Sequence, residues 1–224
     1  MEEFLELVHV PGRATFFCTQ TYRCLEERSH ELGPHAFLPP GGDWDTELRS
    51  KREAFPEAIG WRSHSCVFSH MLAEQLSGLG YRYVSTHDEP GRKHPLPHRQ
   101  AWGLWHVPIY YMDNLDFSAP RFWPDAPAPF SPEVIESALA DDGLYVFGFH
   151  PIHLLLNSPD AETYFRLREG WRRGEAIADL RFEGYGTCSF YDDLVAAMDA
   201  AGVSTVSIAD ALAPYLSAAP AAAS

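Results

Sequence analysis

The sequence predicts one α/β domain in which helices cover a parallel β-sheet. Short apolar runs alternate with segments of helical periodicity, and some runs, such as 144–149, are apolar on both faces. Strands of that kind are typical of parallel sheets that are buried between helices. No internal repeat and no linker divides the 224 residues, which are enough to form one sizeable core. In such folds the chemistry lies at the carboxyl ends of the strands, whether the sheet is open or barrel-like.

The individual elements follow from local patterns along the chain. The predicted strands share short apolar or aromatic runs and comprise 14–18, 58–62, 81–85, 104–112, 144–149 and 203–206. The predicted helices share an apolar face or a helix-start signal and comprise 43–53 with Asp43 as N-cap, 65–79, one opening at Ser131-Pro132, 187–200 and a last one capped by Ser207. Pro108 weakens the strand at 104–112 because it lacks an N–H group for the ladder. We expect a long loop at 86–100, a domain that comprises residues 1–215, and a flexible tail at 216–224.

Composition limits the function classes. The net charge of −14 disfavours binding to nucleic acid or to an anionic membrane. No apolar run approaches the roughly 20 residues that span a bilayer. The start Met1-Glu2-Glu3 lacks the basic and apolar regions of a signal peptide, and the four cysteines form neither a CxxC pair nor a disulfide framework. We therefore expect a cytoplasmic protein with reduced thiols that acts on a small molecule.

Polar side chains that could carry chemistry cluster near four of the predicted strands. They are His30, His35, Arg62, His64, Asp113, Asn114, His150 and His153. Neutral imidazole and carboxylate are the ligands that a catalytic divalent ion prefers, with one position left open for water. Each residue taken singly also has a structural explanation, since a histidine can bond the backbone, Arg62 can pair with an acid and Asp113-Asn114 can cap a turn. Convergence of all four strand ends on one site would favour the functional explanation.

Five segments resemble parts of a known superfamily. Residues 14–19 (ATFFCT) and 30–35 (HELGPH) resemble motifs of the polysaccharide deacetylase (NodB homology) superfamily. Residues 62–65 (RSHS) and 149–153 (FHPIH) resemble a divergent branch of it, and 190–202 resembles its last repeat. The resemblance covers about residues 10–212, and the motifs occur in the order of the family.

The resemblance implies a fold and an activity. The fold is a distorted (β/α)7-type barrel, and the activity is hydrolysis of a non-peptide C–N bond, above all removal of the acetyl group from an N-acetylated sugar or a related small molecule. The family binds a divalent metal, most often zinc, with one Asp and two His. The resemblance assigns these two roles to His35 and His64: Pro39 stands where the usual second histidine lies, and His64 resembles its replacement because it closes the strand that carries Arg62.

The resemblance also implies roles for further residues. His150 would protonate the leaving amine, Arg62 would orient a carboxylate, and Asp113 would supply a carboxylate to the metal, to the base role or to the substrate. The expected substrate contacts are Trp105, Tyr111, Asn114 and His153.

The chain departs from the family pattern at its start. It begins inside what resembles the first helix of the family, so the first strand and its Asp-Asp or Asp-x-Asp motif are absent. Three explanations stay open: the chain starts too late, works without these aspartates, or has lost catalysis. Besides a hydrolase, the sequence therefore permits a non-catalytic binding protein or a biosynthetic cyclase or lyase that reuses the His-lined pocket. A barrel without its first strand would expose the edge of 14–19, which a second copy could cover in a homodimer.

Overall fold

The computed structural model describes residues 1–123, 125 and 127–217. Its strands are β1 (Thr15–Cys18), β2 (Glu31–Ala36), β3 (Gly60–Ser63), β4 (Tyr83–Val84), β5 (His98–Arg99), β6 (Trp105–His106), β7 (Tyr111–Met112) and β8 (Phe147–Gly148). Its α-helices are α1 (Glu2–Leu7), α2 (Arg23–Glu27), α3 (Trp44–Ala54), α4 (His70–Gly78), α5 (Asp113–Asp116), α6 (Ala119–Phe122), α7 (Pro132–Ala140), α8 (Pro151–Leu156), α9 (Ala161–Arg172), α10 (Ile177–Leu180), α11 (Thr187–Ala201) and α12 (Ile208–Ser217). Two positions of the predicted tail, Leu216 and Ser217, end α12, whereas 218–224 lie outside the described residues. None of the described helices has both the length and the apolar character needed to cross a membrane.

The contacts divide the chain into two compact units. The sheet unit comprises Gly12–His87, Leu96–Pro108 and the described residues from Thr205 onward, and it contains β1–β6 with α2, α3, α4 and α12. The helical unit comprises Met1–Pro11, Asp88–Pro95 and Ile109–Ser204. Its core is largely aromatic and includes Tyr110, Tyr111, Phe117, Phe130, Ile135, Phe190, Leu194 and Met198.

The sheet unit contains a six-stranded sheet in the order β1-β2-β3-β4-β6-β5. The first five strands in this order run parallel, and β5 joins β6 antiparallel at the edge. This arrangement confirms the predicted α/β class with a parallel-dominated sheet. Among the described residues the sheet stays open between β1 and β5, so the predicted barrel is not confirmed.

The outer side of β1 has partners from the segment that leads into α12. Gly12 forms a parallel bridge with Thr205, and the Ile208 N–H donates to Thr15 Oγ1 at 2.8 Å. The predicted strand at 203–206 is therefore reduced to one bridge. The edge that was expected to be bare is contacted near its start, and the homodimer stays a prediction.

Two glycines shape one face of this sheet. The register places Phe17 beside Gly33 and Tyr83 beside Gly60, so that these four residues lie in one row. A Cβ at Gly33 would meet the Phe17 ring, and one at Gly60 would collide with the Tyr83 ring. Each glycine therefore lets the neighbouring ring lie flat over the strand. The next row on the same face contains Arg62, directly beside His35.

Two predicted elements begin or end elsewhere in the structure. The helix predicted from residue 65 starts at His70, because Ser65 and Cys66 have φ values of 55° and 54° and Ser69 caps the helix by accepting from the Leu72 N–H. The strand predicted at 104–112 splits into β6 in the six-stranded sheet and β7 in the two-stranded sheet. Pro108 lies between the two halves, where it cannot donate a ladder hydrogen bond.

Candidate active site

The helical unit brings Asp113 and His150 together at the ends of two strands. β7 and β8 pair in parallel, with Met112 beside Gly148, so their carboxyl ends deliver the two following side chains to the same place. The Asp113 Oδ1 and His150 Nδ1 atoms lie 2.6 Å apart. Asp113 is fully buried, whereas the His150 side chain is 40% exposed. The sequence placed both residues at strand ends, and the parallel register makes them a pair.

The Asp113 carboxylate is held by three donors. Its Oδ1 accepts from the Asn114 N–H at 2.7 Å, and its Oδ2 accepts from the His150 N–H at 2.7 Å, in addition to the contact with the imidazole. Because an ionised carboxylate only accepts hydrogen bonds, the proton of this contact belongs to His150 Nδ1. This leaves His150 Nε2 for a reacting group or an ion. The carboxylate fixes the tautomer and orientation of the ring, as the aspartate of a Ser-His-Asp triad does.

His153 lies one helical turn further along α8 and is almost fully buried. Its Nδ1 is 3.2 Å from Ser158 Oγ, and its ring packs against the rings of Tyr164 and Phe117. Burial lowers the pKa of His153 to about 4, against the opposing effect of Asp113, so the imidazole is neutral near pH 7. Its predicted role in substrate binding stays a prediction, since its surroundings are those of a core residue.

In the sheet unit, His35 and His64 meet at neighbouring strands. His35 lies on β2, and His64 follows the end of β3. His35 Nε2 and His64 Nδ1 are 3.2 Å apart, and the edge of the Phe37 ring packs against His64. This proximity is the geometry expected of two ligands of one ion. A hydrogen bond between the rings gives the same distance, so the metal role stays a prediction.

Both histidine groups contain donor atoms of the kind that a divalent ion binds. Two nitrogens about 2.0–2.1 Å from a tetrahedral zinc ion lie roughly 3.4 Å apart, which the 3.2 Å between His35 and His64 fits. Asp113, His150 and His153 bring ligand atoms within 4.8 Å of one another, and this group could also hold a metal ion. However, the 2.6 Å contact between Asp113 and His150 is shorter than two ligands of one ion would show. The carboxylate is engaged in hydrogen bonds, which favours a proton-transfer role for that pair.

Arg62 is anchored on the same face of the sheet as His35. Its Nε–H donates to the Ser85 carbonyl at 2.8 Å and its Nη2–H to Ser85 Oγ at 2.7 Å. The guanidinium carbon lies 4.7 Å from the centroid of the Phe17 ring. Sequence reasoning missed Ser85, although it ends the predicted strand at 81–85 as Arg62 ends the preceding one.

The residues predicted to contact substrate lie in different environments. Trp105 is half-buried against Tyr215, and Tyr111 is buried in the aromatic core with its hydroxyl 3.2 Å from Asp116 Oδ2. Burial raises the pKa of Tyr111 most, and the negative charge of Asp116 raises it further. Asn114 is half-buried beside Asp113, and its Oδ1 is buried with no hydrogen-bond partner among the described residues. Of the predicted contacts, Asn114 thus has an unused acceptor next to the Asp113–His150 pair.

A partly buried polar network that the sequence did not predict surrounds Glu31. Its Oε2 accepts from Thr15 Oγ1 and from the Ala209 N–H at the start of α12, and its Oε1 accepts from the Tyr83 hydroxyl. Burial, and then Glu31, raise the pKa of Tyr83 well above its ordinary value, so the phenol keeps its proton. The network joins β1, β2, β4 and α12 beneath the row that contains His35 and Arg62.

Two solved structures are similar to this chain. A solved structure from Bordetella bronchiseptica, of a protein proposed to be a polysaccharide deacetylase involved in O-antigen biosynthesis, matches with a TM-score of 0.68 and 24% identity, covering 87% of this chain and 82% of its own. This likeness shows the fold. A structure from Mycobacterium smegmatis, of a protein proposed to be a polysaccharide deacetylase, has a TM-score of 0.47 and 20% identity, with 91% and 78% of the two chains covered. No curated protein matches the chain.

The family assignment rests on a match over most of the chain. The family model for WbmS-like polysaccharide deacetylases matches residues 2–168. These residues include β1–β8, the His35–His64 pair and the Asp113–His150 pair. The chain therefore belongs to the WbmS-like family of polysaccharide deacetylases.

Proposed function

We propose that the chain is a metal-dependent hydrolase that removes the acetyl group from an N-acetylated sugar or a related small molecule. The observation that carries this proposal is the buried Asp113 carboxylate bound to the half-exposed His150. A carboxylate that fixes the tautomer of an accessible imidazole is typical of proton-transfer sites in hydrolases. Membership of a polysaccharide deacetylase family supports the same class of reaction.

His150 is the proton donor in this proposal. Cleavage of an amide expels a nitrogen that must take up a proton, because an amine anion is too basic to leave. His150 Nε2 points away from the Asp113 contact and can carry that proton, while Asp113 holds Nδ1. The three donors to Asp113 make it a positioning residue rather than the group that exchanges protons with water.

His35 and His64 are the proposed metal ligands. Their facing nitrogens and the neutral imidazole chemistry suit zinc. The chemistry that such an ion supplies when bound is polarisation of the amide carbonyl and a lowered pKa of water. In the metal-free protein, one proton can bridge the two facing ring nitrogens as a hydrogen bond. When the ion is bound, both nitrogens would coordinate it instead.

Acetate release from the purified chain tests the proposed function. We expect equal amounts of acetate and free amine from N-acetylglucosamine or from an oligosaccharide of it, loss of release after chelation with EDTA, and recovery with zinc. A chain that binds these sugars and leaves them intact would instead be a binding protein. A product that forms without acetate would indicate a lyase or cyclase.

Metal content tests the ligand assignment independently of turnover. We expect His35→Gln or His64→Gln to weaken zinc binding by roughly 10-fold or more, because each removes a direct ligand. The measurement is competition with a chromophoric chelator, and His70→Gln, an exposed histidine on α4, serves as the control. If His153→Gln lowers zinc affinity and the first two variants do not, the ion belongs to the group in the helical unit.

A further inference from the structure

Phe37 is an exposed aromatic residue beside the His35–His64 pair. It directly follows β2, lies two positions after His35, and is 64% exposed. Its ring meets the His64 ring edge to face, with the ring centroids 5.6 Å apart. A contact of this geometry covers at most one face of the Phe37 ring, so the side chain presents an open apolar surface next to the proposed metal ligands.

The strand fixes the direction of this side chain. Successive side chains of a strand point to opposite faces of the sheet. Ala36 and Leu38, the two neighbours of Phe37, are both buried, which shows that the alternation continues past the end of β2. Phe37 therefore points to the same side of the sheet as His35.

The segment after Phe37 is held by hydrogen bonds. The Pro39 carbonyl accepts from the Trp44 indole N–H at 2.8 Å and from the Gly42 N–H at 3.1 Å. Trp44 begins α3, so these contacts join the segment to a helix. Because the backbone on both sides of Phe37 is fixed, a ligand that packs on its ring orders little of the chain, and this lowers the entropic cost of binding.

Sugar rings have a surface that suits such a side chain. The hydroxyl groups of a pyranose lie mainly around its rim, whereas C–H groups cover its faces. These hydrogens carry a small positive charge and pack on the negative face of an aromatic ring. Single exposed apolar residues are common and often have no function, but Phe37 differs because it contacts a residue of the candidate site.

We propose that Phe37 stacks on the pyranose ring of the substrate and so selects N-acetylated sugars over acyclic amides. This inference rests on the proposed function, since it takes an N-acetylated sugar as the substrate. Phe37 contacts His64 directly, so a sugar whose N-acetyl group reaches the His35–His64 pair has its ring next to Phe37. Its role is recognition of the sugar, and proton transfer belongs to other residues.

Binding to the intact protein tests this inference without turnover. Calorimetry of the EDTA-treated protein, in which the proposed hydrolysis is stopped, measures the affinity for a trimer of N-acetylglucosamine. We expect Phe37→Ala to weaken binding roughly 10-fold, the size of effect for one aromatic stacking contact, and Phe37→Trp to keep the affinity of the wild type. The matched control is Phe165→Ala, because Phe165 is 49% exposed and lies on α9, outside the sheet unit. Wild-type protein that does not bind the trimer, or a Phe37→Ala variant that binds it as tightly, overturns the inference.

Zinc affinity separates stacking from support of His64. If Phe37 only positions the His64 imidazole, Phe37→Ala weakens zinc binding in the chelator competition and leaves the affinity for the trimer unchanged, which overturns the inference. Stacking predicts the reverse. Phe37→Leu adds a second distinction, because leucine keeps an apolar side chain but has no aromatic face. We expect this variant to bind the trimer as weakly as Phe37→Ala, and wild-type affinity in it overturns aromatic stacking.

Kinetics distinguish failure of this inference from failure of the proposed function. With the trimer as substrate, we expect Phe37→Ala to raise KM about 10-fold with little change in kcat, because stacking stabilises ground state and transition state alike. The wild type should favour the trimer over N-acetylethanolamine, which has the same amide but no ring, and Phe37→Ala should reduce that preference. Phe37-dependent binding of the trimer without acetate release leaves the stacking site in place and contradicts the hydrolase. Acetate release with an unchanged KM in Phe37→Ala supports the hydrolase and contradicts the stacking site.

Discussion

Replacing His150 with Gln is expected to lower the kcat of acetate release by about 100-fold or more. Gln can still contact Asp113, but it has no group that delivers a proton to the leaving nitrogen. Zinc content should be unchanged, because His150 is not assigned to the metal. Steady-state kinetics on an N-acetylated sugar, with zinc measured on the same sample, give both values.

The leaving group distinguishes proton donation from a structural role. With 4-nitrophenyl acetate the leaving phenolate needs no proton, so His150→Gln should lose far less activity on this ester than on the amide. A loss of equal size on both substrates would mean that the substitution damages the site in another way. His94→Gln is the control, because His94 is an exposed histidine of the same unit whose Nδ1 contacts the Asp142 carbonyl. Full activity of the His150 variant would make His153 the next candidate for the acid.

Asn157→Ala is expected to destabilise the protein by roughly 3–5 kcal/mol, which places it among the most damaging single substitutions. Asn157 is buried and left-handed at the end of α8, with φ 50°. Its Oδ1 accepts from the N–H groups of Cys188 and Ser189 at the start of α11, and its Nδ2 donates to the carbonyls of Phe182 and Gly184. One side chain thus caps a helix and holds the loop before it, and alanine would leave four backbone groups without this partner.

Urea unfolding measures this loss, and a simpler cap provides the control. Asp160 caps α9 by accepting from the Thr163 N–H, so Asp160→Ala should cost about 1 kcal/mol. Asn157→Asp keeps the acceptor and removes the donor, and we expect an intermediate loss. If Asn157→Ala costs no more than Asp160→Ala, the loop contacts of Asn157 contribute nothing measurable to the free energy of unfolding.

Local signals in the sequence predicted whether a segment is a helix or a strand better than they predicted where it begins and ends. Asp43 accepts from the Thr46 N–H and Ser207 Oγ accepts from the Asp210 N–H, as the predicted caps require. Both hydrogen bonds join residues three positions apart, so the local sequence is enough to predict these caps. α8, α9 and α10 lie in a stretch for which the pattern predicted no element, and α9 depends on Asp160 as its cap and on packing of its aromatic side chains against α8.

The sequence by itself determined the α/β class and the positions of polar residues near strand ends. Apolar runs and helix caps involve only a few consecutive residues, so the local pattern is enough to identify them. Only the tertiary structure decided which of these residues meet. His35 and His64 are 29 residues apart and Asp113 and His150 are 37 apart, and each pair forms because parallel strands align their carboxyl ends in one register. The sequence also did not predict the partners of Arg62 and Asn157. Strand pairing brings Ser85 to Arg62, and helix packing brings Phe182 and Cys188 to Asn157. Such contacts depend on strand order and packing between distant segments, which hydrophobic periodicity does not encode.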